Sequence, residues 1–564
     1  MTASNLDPRS WESIEPHFRS LEQEDLTAEG VPQWLARWSE LEKAIGEAGV
    51  AAYRARTEDT TDEAAERAYL HLVENVQPRV RVASNALKAK LLAVPGLSPT
   101  PDTEVLLTRF RAEAAAFREE NAPVYAELAV MGSEYDRIAG AMTVTLDGEE
   151  LTVQQASVRL EDPDRTVREE AWRLVHDRWL RDRKALNDLY LRMLRLRRQL
   201  ARNADLPDYR ALAWVEMNRF DYGPEDALRF NEAIEGEVVP LVSRLMWERK
   251  ERMGLPRLRP WDLDADPEAR PGLKPFTSED DLESGVARML EAVDPELGRD
   301  FALLRDGYLD LGSRRGKAPG GYCDFYPQRQ RPYIFMNAAG THDDVMTLLH
   351  EAGHAFHALA GSRANTLYFN QGSPMEFAEV ASMSMELLAS PFLERERGGF
   401  YSPEDASRAR AGHLESTVRF LPYMAVVDAF QHWVYAEAPE DVAADDLDAK
   451  WGELWSRFMP DADWTGLEDS RVTGWQRKLH IFQIPFYYIE YGLAQTGAWQ
   501  VWRNALADGP RALSAYRDAL ALGYTRPITA LYEAAGARLA FDREHVGSLA
   551  RFINSQLAGS PTAR

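Results

Sequence analysis

The chain has 564 residues, a formal net charge of −24 and a single cysteine. That charge argues against nucleic acid or anionic membranes as partners, and one cysteine excludes an intrachain disulfide and fits a reducing, cytoplasmic setting. No apolar run approaches the ~20 residues needed to cross a bilayer, and the polar opening from Met1 to Trp11 has no basic-then-apolar leader pattern.

Helical patterning dominates the chain. Residues 38–54, 63–92, 103–137, 165–202 and 224–253 are long, charged amphipathic stretches whose acidic and basic sides read as solvated faces. One β-hairpin interrupts them: Thr143-Val144-Thr145-Leu146 and Glu149-Glu150-Leu151-Thr152-Val153 flank Asp147-Gly148, a strong two-residue turn signal. The proline-rich segment 256–275 reads as a surface loop between helices. There is no internal repeat and no low-complexity tract.

Further on, Tyr333-Ile334-Phe335-Met336-Asn337 is a short β-prone run, broken by Ala338-Ala339-Gly340. Read as an exposed edge, it offers main-chain hydrogen bonds to an extended peptide, and Gly320, Gly321 and Ala338 keep the approach free of bulk. Thr341 with Asp344 three residues later announces a helix N-terminus. Val345, Leu348, Ala352, Phe356 and Leu359 then recur at helical spacing, and Gly361 closes the element.

This helix carries His350-Glu351-Ala352-Gly353-His354. Two histidines four residues apart project from one face and can share a zinc ion, with Glu351 placed to take a proton from a water there. A catalytic zinc needs a third protein ligand, for which His357, Glu376, Glu379 and Glu386 compete. His357 is awkward on a straight helix and reads as a supporting histidine. Ser373-Pro374-Met375-Glu376 resembles a helix start, so capping accounts for Glu376. Glu379 and Glu386 share one face of an otherwise apolar helix and need a partner if buried. Glu379 is the expected ligand, and Glu386 the expected carboxylate behind a histidine. Downstream, Tyr488 and Tyr491 are one helical turn apart, with His480 before Pro485. A phenol or a neutral imidazole can donate to the oxyanion of amide hydrolysis. Cys323 has no neighbour suggesting a nucleophile and reads as structural.

His350-Glu351-x-Gly353-His354, the spacing to Glu379 and Glu386, Gly320-Gly321-Tyr322-Cys323, Ile334-Phe335-Met336-Asn337 and the run from His480 to Tyr491 together resemble the M3 family of zinc oligopeptidases, in its oligoendopeptidase F branch. The resemblance covers roughly residues 110–555. It implies a mainly α, two-lobed metallopeptidase with a small sheet beside the active-site helices and a channel between lobes. It divides the chain into an N-terminal helical region (1–110), an oligopeptidase F-type N-terminal domain with the hairpin (111–190), and a catalytic domain (191–564). It further implies one Zn2+ per chain on His350, His354 and Glu379, with Glu351 as general base and Tyr491, His480 and Tyr488 as transition-state contacts. Gly320, Gly321, Tyr322, Asn337 and Ala338 become the expected main-chain contacts to substrate. The expected activity is cleavage of internal bonds in short peptides. A carboxypeptidase or dipeptidyl carboxypeptidase is the alternative, and a non-catalytic helical interaction protein a third.

Overall fold

The amphipathic stretches fold as helices, and their breaks follow local chemistry. The computed structural model describes residues 6–559; Met1 to Asn5, part of the polar opening, and the last five residues of the C-terminal region lie outside the described residues. Helix accounts for 69% and strand for 5%, which makes the chain mainly α. The 38–54 stretch belongs to a longer helix, Val31–Glu58, with Pro32 in its first turn. Proline lacks a donor and suits a helix start, and the same effect divides other stretches. Glu104–Ala116 and Ala122–Gly140 are separate, with Pro123 opening the second. Pro224–Glu237 and Val239–Arg252 are parted where Pro240 starts the new helix. Residues 165–202 break at Asp182.

The hairpin forms from β1 (Thr143–Leu146) and β2 (Glu149–Thr152), with Val144 opposite Leu151. Asp147 and Gly148 have φ of 54° and 85°, both positive as a tight hairpin turn requires. Val153 starts the next helix and is not in the strand.

The second sheet contains β3 (Leu309–Gly312), β4 (Tyr322–Tyr326) and β5 (Arg331–Ala338) in the order β3-β5-β4. β5 pairs parallel with β3 and antiparallel with β4. The Tyr333–Asn337 run is therefore the central strand, which corrects its reading as an edge. Tyr333, Ile334, Phe335 and Met336 are all buried, and consecutive apolar residues suit a strand covered on both faces. β3 and β4 are the two edges, and among the described residues the main chain of β4 pairs with β5 alone, leaving its outer side free.

Helices of the first 110 residues enclose their own core around Ile14, Trp34, Trp38 and Phe110, apart from the large core behind the sheet. The C-terminal end of Val31–Glu58 docks on that sheet. Thr57 Oγ1 lies 2.6 Å from the Tyr322 hydroxyl, and the Tyr333 hydroxyl donates to Glu58 at 3.0 Å. A cavity of about 970 Å³ separates the N-terminal helices from the rest.

Three helices form the centre: His342–Ala364, Met375–Ala389 and Tyr488–Ala507. The first two approach at Gly353, where an added Cβ would lie 2.6 Å from the Ser382 Cα and 2.8 Å from the Ala381 carbonyl oxygen. Backbone cannot yield as a flexible side chain does. Gly353→Ala is expected to cost about 1–3 kcal/mol through overpacking. A clearly lowered thermal unfolding midpoint, with weaker metal retention, is the expected measurement.

Candidate active site

The motif helix begins where Asp344 accepts hydrogen bonds from the main-chain N–H groups of Ala339, Gly340 and Thr341, at 2.9, 2.8 and 2.7 Å. These donors have no partner inside the helix, and a carboxylate at the positive end of its dipole stabilises the start. Two turns on, His350 and His354 face one another with ring centroids 4.9 Å apart. Glu379 comes from the second helix, across the Gly353 contact. Its Oε2 is 3.2 Å from His350 Nε2 and 3.4 Å from His354 Nε2. These three are the one group of donors among the described residues with metal-binding spacing. Ligands at ~2.0–2.1 Å in a tetrahedron stand about 3.3 Å from one another, so the donor set fits zinc.

Two of the three donors, His350 and Glu379, are held from behind. His350 Nδ1 is 2.7 Å from Glu386 Oε1. A carboxylate only accepts, so the proton sits on Nδ1 and Nε2 keeps its lone pair for the metal. His413 Nε2 lies 3.3 Å from the other Glu386 oxygen. Tyr487 donates to Glu379 Oε1 at 2.6 Å, and Ser382 Oγ donates to Oε2 at 2.9 Å. The carboxylate is thereby fixed with Oε2 toward the histidines. Glu351 is buried, its Oε2 has no hydrogen-bond partner, and burial pushes its carboxyl up from the usual range. A Cβ on Gly321 would stand 3.5 Å from Glu351 Oε1, so the glycine leaves room beside that carboxylate. Gly320 has φ of 90°, a conformation that favours glycine.

On the third helix, the Tyr491 hydroxyl is 3.2 Å from His480 Nε2. Burial lowers His480 to about 3, leaving a neutral imidazole, and keeps Tyr491 a protonated phenol. Tyr488 is buried, its ring edge-on to those of Tyr423, Tyr491 and His480.

Several expectations need correction. His357 does not support the metal site: its Nε2 has no partner, its ring stands edge-on to Phe377, and burial lowers it to about 3. Seven residues from His350 place it about 10.5 Å along the helix axis, on a different layer. Asn337 and Ala338, on the central strand, are already engaged. The Asn337 amide donates to the carbonyls of Ala318 and Gly320, at 3.0 and 2.8 Å, and the Ala338 carbonyl accepts from Ser313. Gly320, Gly321 and Tyr322 lead into the free edge strand. Glu376 is not a cap, since the helix starts at Met375 with no side-chain capping bond.

Glu376 instead belongs to a buried clamp invisible in the sequence. Arg219, whose side chain is fully buried, donates from Nε to Glu376 at 3.1 Å and from Nη2 to Glu490 at 2.8 Å. Nη2 also reaches the Phe486 carbonyl at 2.6 Å, and Tyr222 donates to Glu376 at 2.5 Å. One guanidinium thus ties the turn bearing Glu379 to the segment bearing Tyr487 and Tyr491. Burial, together with the neighbouring Glu376 charge, pushes the Glu490 carboxyl far up from its usual range. Removing the cation would leave buried carboxylates uncompensated, at a cost of about 3–5 kcal/mol. Arg219→Met is expected to unfold at a much lower temperature. Arg219→Lys keeps the charge but not the fork, and should fold yet lose metal faster to a chelator than the parent protein, as read by metal analysis.

A family model described as Peptidase family M3 matches residues 158–550. Oligopeptidase PepF of Bacillus subtilis (strain 168) is 25% identical over 310 residues, covering 52% of this chain and 43% of the relative. The plasmid oligoendopeptidase F of Lactococcus lactis subsp. cremoris is 28% identical over 162 residues, 28% of this chain and 26% of the relative. The chain thus spans less than half the length of these curated relatives. A solved structure of PZ peptidase A with an inhibitor superposes with a TM-score of 0.94 at 26% identity, covering 100% of both chains. With the family match over most of its length and the histidine-glutamate cluster at its centre, the chain belongs to peptidase family M3, with oligoendopeptidase F-type relatives.

Proposed function

We propose that the chain is a zinc-dependent endopeptidase acting on internal bonds of short, unstructured peptides. The observation that carries this reading is the unpartnered Glu351 oxygen beside the His350, His354 and Glu379 donors. A zinc ion held by these three residues supplies Lewis acidity to a water and to the scissile carbonyl. Glu351 accepts the proton of the attacking water and returns it to the leaving amine. Tyr491, as a phenol partnered by His480, donates to the oxyanion on the substrate. Tyr487 and Ser382 keep Glu379 in one orientation, and Glu386 does the same for His350.

Substrate binding is supported by β4. An extended peptide can pair with its free edge through main-chain bonds that ignore side-chain identity, whereas a folded protein has its backbone already paired. The cavity behind Tyr53, whose ring is 5.3 Å from that of Tyr322, gives the peptide ends a place to lie. No helix among the described residues is long and apolar enough to cross a membrane, and the lone Cys323 fits action in a reducing compartment, the cytoplasm.

Digestion of a defined ten-residue peptide, with products weighed over time, tests the reading. Internal fragments are expected; stepwise release of C-terminal residues would instead establish a carboxypeptidase. Glu351→Gln should keep stoichiometric zinc while kcat falls by ~10²-fold or more, since only the proton acceptor is removed. Retention of more than a tenth of the parent kcat would remove Glu351 from that role. Tyr491→Phe should lower kcat by ~10²-fold with KM little changed, as expected of a donor used only in the transition state.

A further inference from the structure

The cavity between the N-terminal helices and the catalytic part has an unusual charge for this protein. The whole chain is strongly acidic, yet the cavity wall carries six Arg and Lys side chains against four carboxylates. Most of the cations are committed. Arg56 donates to Asp136 at 3.0 Å, and Lys88 pairs with Glu113 at 2.5 Å. Arg109 and Arg197 donate to main-chain carbonyls, and Arg118 to carbonyls and Asp205. Arg81 is the exception. It is exposed into the cavity and lies 4.4 Å over the Tyr125 ring, whose hydroxyl donates to Glu216; Arg81 itself makes no hydrogen bond or ion pair among the described residues.

The cavity borders the candidate site through one segment and one ring, while the metal donors, Glu351, His480 and Tyr491 lie outside its lining. Gln483, Ile484 and Pro485 line it, and they form the short link between His480 and Tyr487. Tyr53 lines it too, and touches Tyr322 of the edge strand. Its volume, about 970 Å³, is that of a large ligand site and holds several residues of peptide. A guanidinium stacked on an aromatic ring is pre-organised, and its free fork matches a carboxylate in two hydrogen bonds.

We infer that Arg81 anchors the free C-terminal carboxylate of the peptide substrate in this cavity, so that the enzyme measures its cut from the C-terminal end. The inference rests on the peptidase reading and gives it a substrate class: peptides with an unblocked C-terminus, of a length set by the distance from Arg81 to the metal. Internal bonds are still cut, because the anchor holds the chain end away from the metal.

The test uses zinc-loaded enzyme and a ladder of peptides sharing one C-terminal sequence and extended stepwise at the N-terminus, each as free acid and as C-terminal amide. The free acid is expected to show kcat/KM at least about tenfold higher, carried by KM, as the loss of a charge-assisted bidentate contact implies. The C-terminal fragment should keep one length as the peptide grows. In Arg81→Met both the preference and the constant fragment length should vanish, and Arg81→Lys should restore part of the preference. Equal turnover of acid and amide by the parent enzyme, or a preference that survives in Arg81→Met, overturns the inference. Equilibrium binding of both peptides to Glu351→Gln reads the anchor without turnover. Absence of cleavage would therefore count against the peptidase reading, while the affinity difference still decides on Arg81.

Discussion

The contact between the motif helix and the Met375–Ala389 helix at Gly353 governs the site. Two helices packed through ordinary side chains keep their axes about 8–10 Å apart. At Gly353 there is no side chain, and backbone atoms of Ser382 and Ala381 occupy the space a Cβ would need. A glutamate on one helix, its carboxylate fixed by Tyr487 and Ser382, can then share an ion with histidines on the other. A wider spacing would separate Glu379 from the two histidines, and the donor triangle of 3.2 and 3.4 Å would open. Ser382 serves this contact twice: its backbone forms the floor beneath Gly353, and its hydroxyl binds Glu379.

Charge management follows from that closeness. Glu379, Glu376 and Glu490 are all buried within a few residues of one another on two packed helices. Each has a different remedy. Glu379 faces imidazoles and is held by Tyr487 and Ser382; Glu376 takes Arg219 and Tyr222; Glu490 shares Arg219, with burial pushing its carboxyl up. Buried carboxylates are costly unless paired, so the polar web is as much a part of the core as the aromatic side chains around it. The lone φ-positive aromatic residue in the region, Phe486, at 68°, has its N–H taken by Gln431 and its carbonyl by Arg219, which holds the chain at the turn into Tyr487.

How much of this was legible in the sequence depended on distance along the chain. His350, Glu351 and His354 are readable because a helix converts their spacing directly into geometry, and the helical stretches are readable because period and proline position act locally. Glu379 was reachable because a buried acid on an apolar helix needs a reason. Tyr487, His413, Ser382 and Arg219 were not, since each acts through a partner whose proximity is set by tertiary packing: Arg219 lies 157 residues from Glu376. The central place of Tyr333–Asn337 in its sheet is hidden for a related reason. An apolar five-residue run has the same appearance at the centre of a sheet as at an edge, and Leu309-Asp310-Leu311-Gly312 offers too little pattern to announce the parallel partner that covers it. His357 misled because a histidine near a metal motif draws attention that its layer on the helix does not support.

The docking of Thr57 on Tyr322 spans 265 residues, and that of Glu58 on Tyr333 spans 275. Tyr487 meets Glu379 across another 108. The three-stranded sheet is thus braced by a helix far upstream of it, while Glu379 is braced by a segment far downstream. During synthesis from the N-terminus, the motif helix emerges long before Tyr487 and Tyr491 exist. The donors His350, His354 and Glu379 therefore leave the ribosome before the phenol that orients Glu379, which is made 108 residues after it, so the cluster forms first and is fixed later.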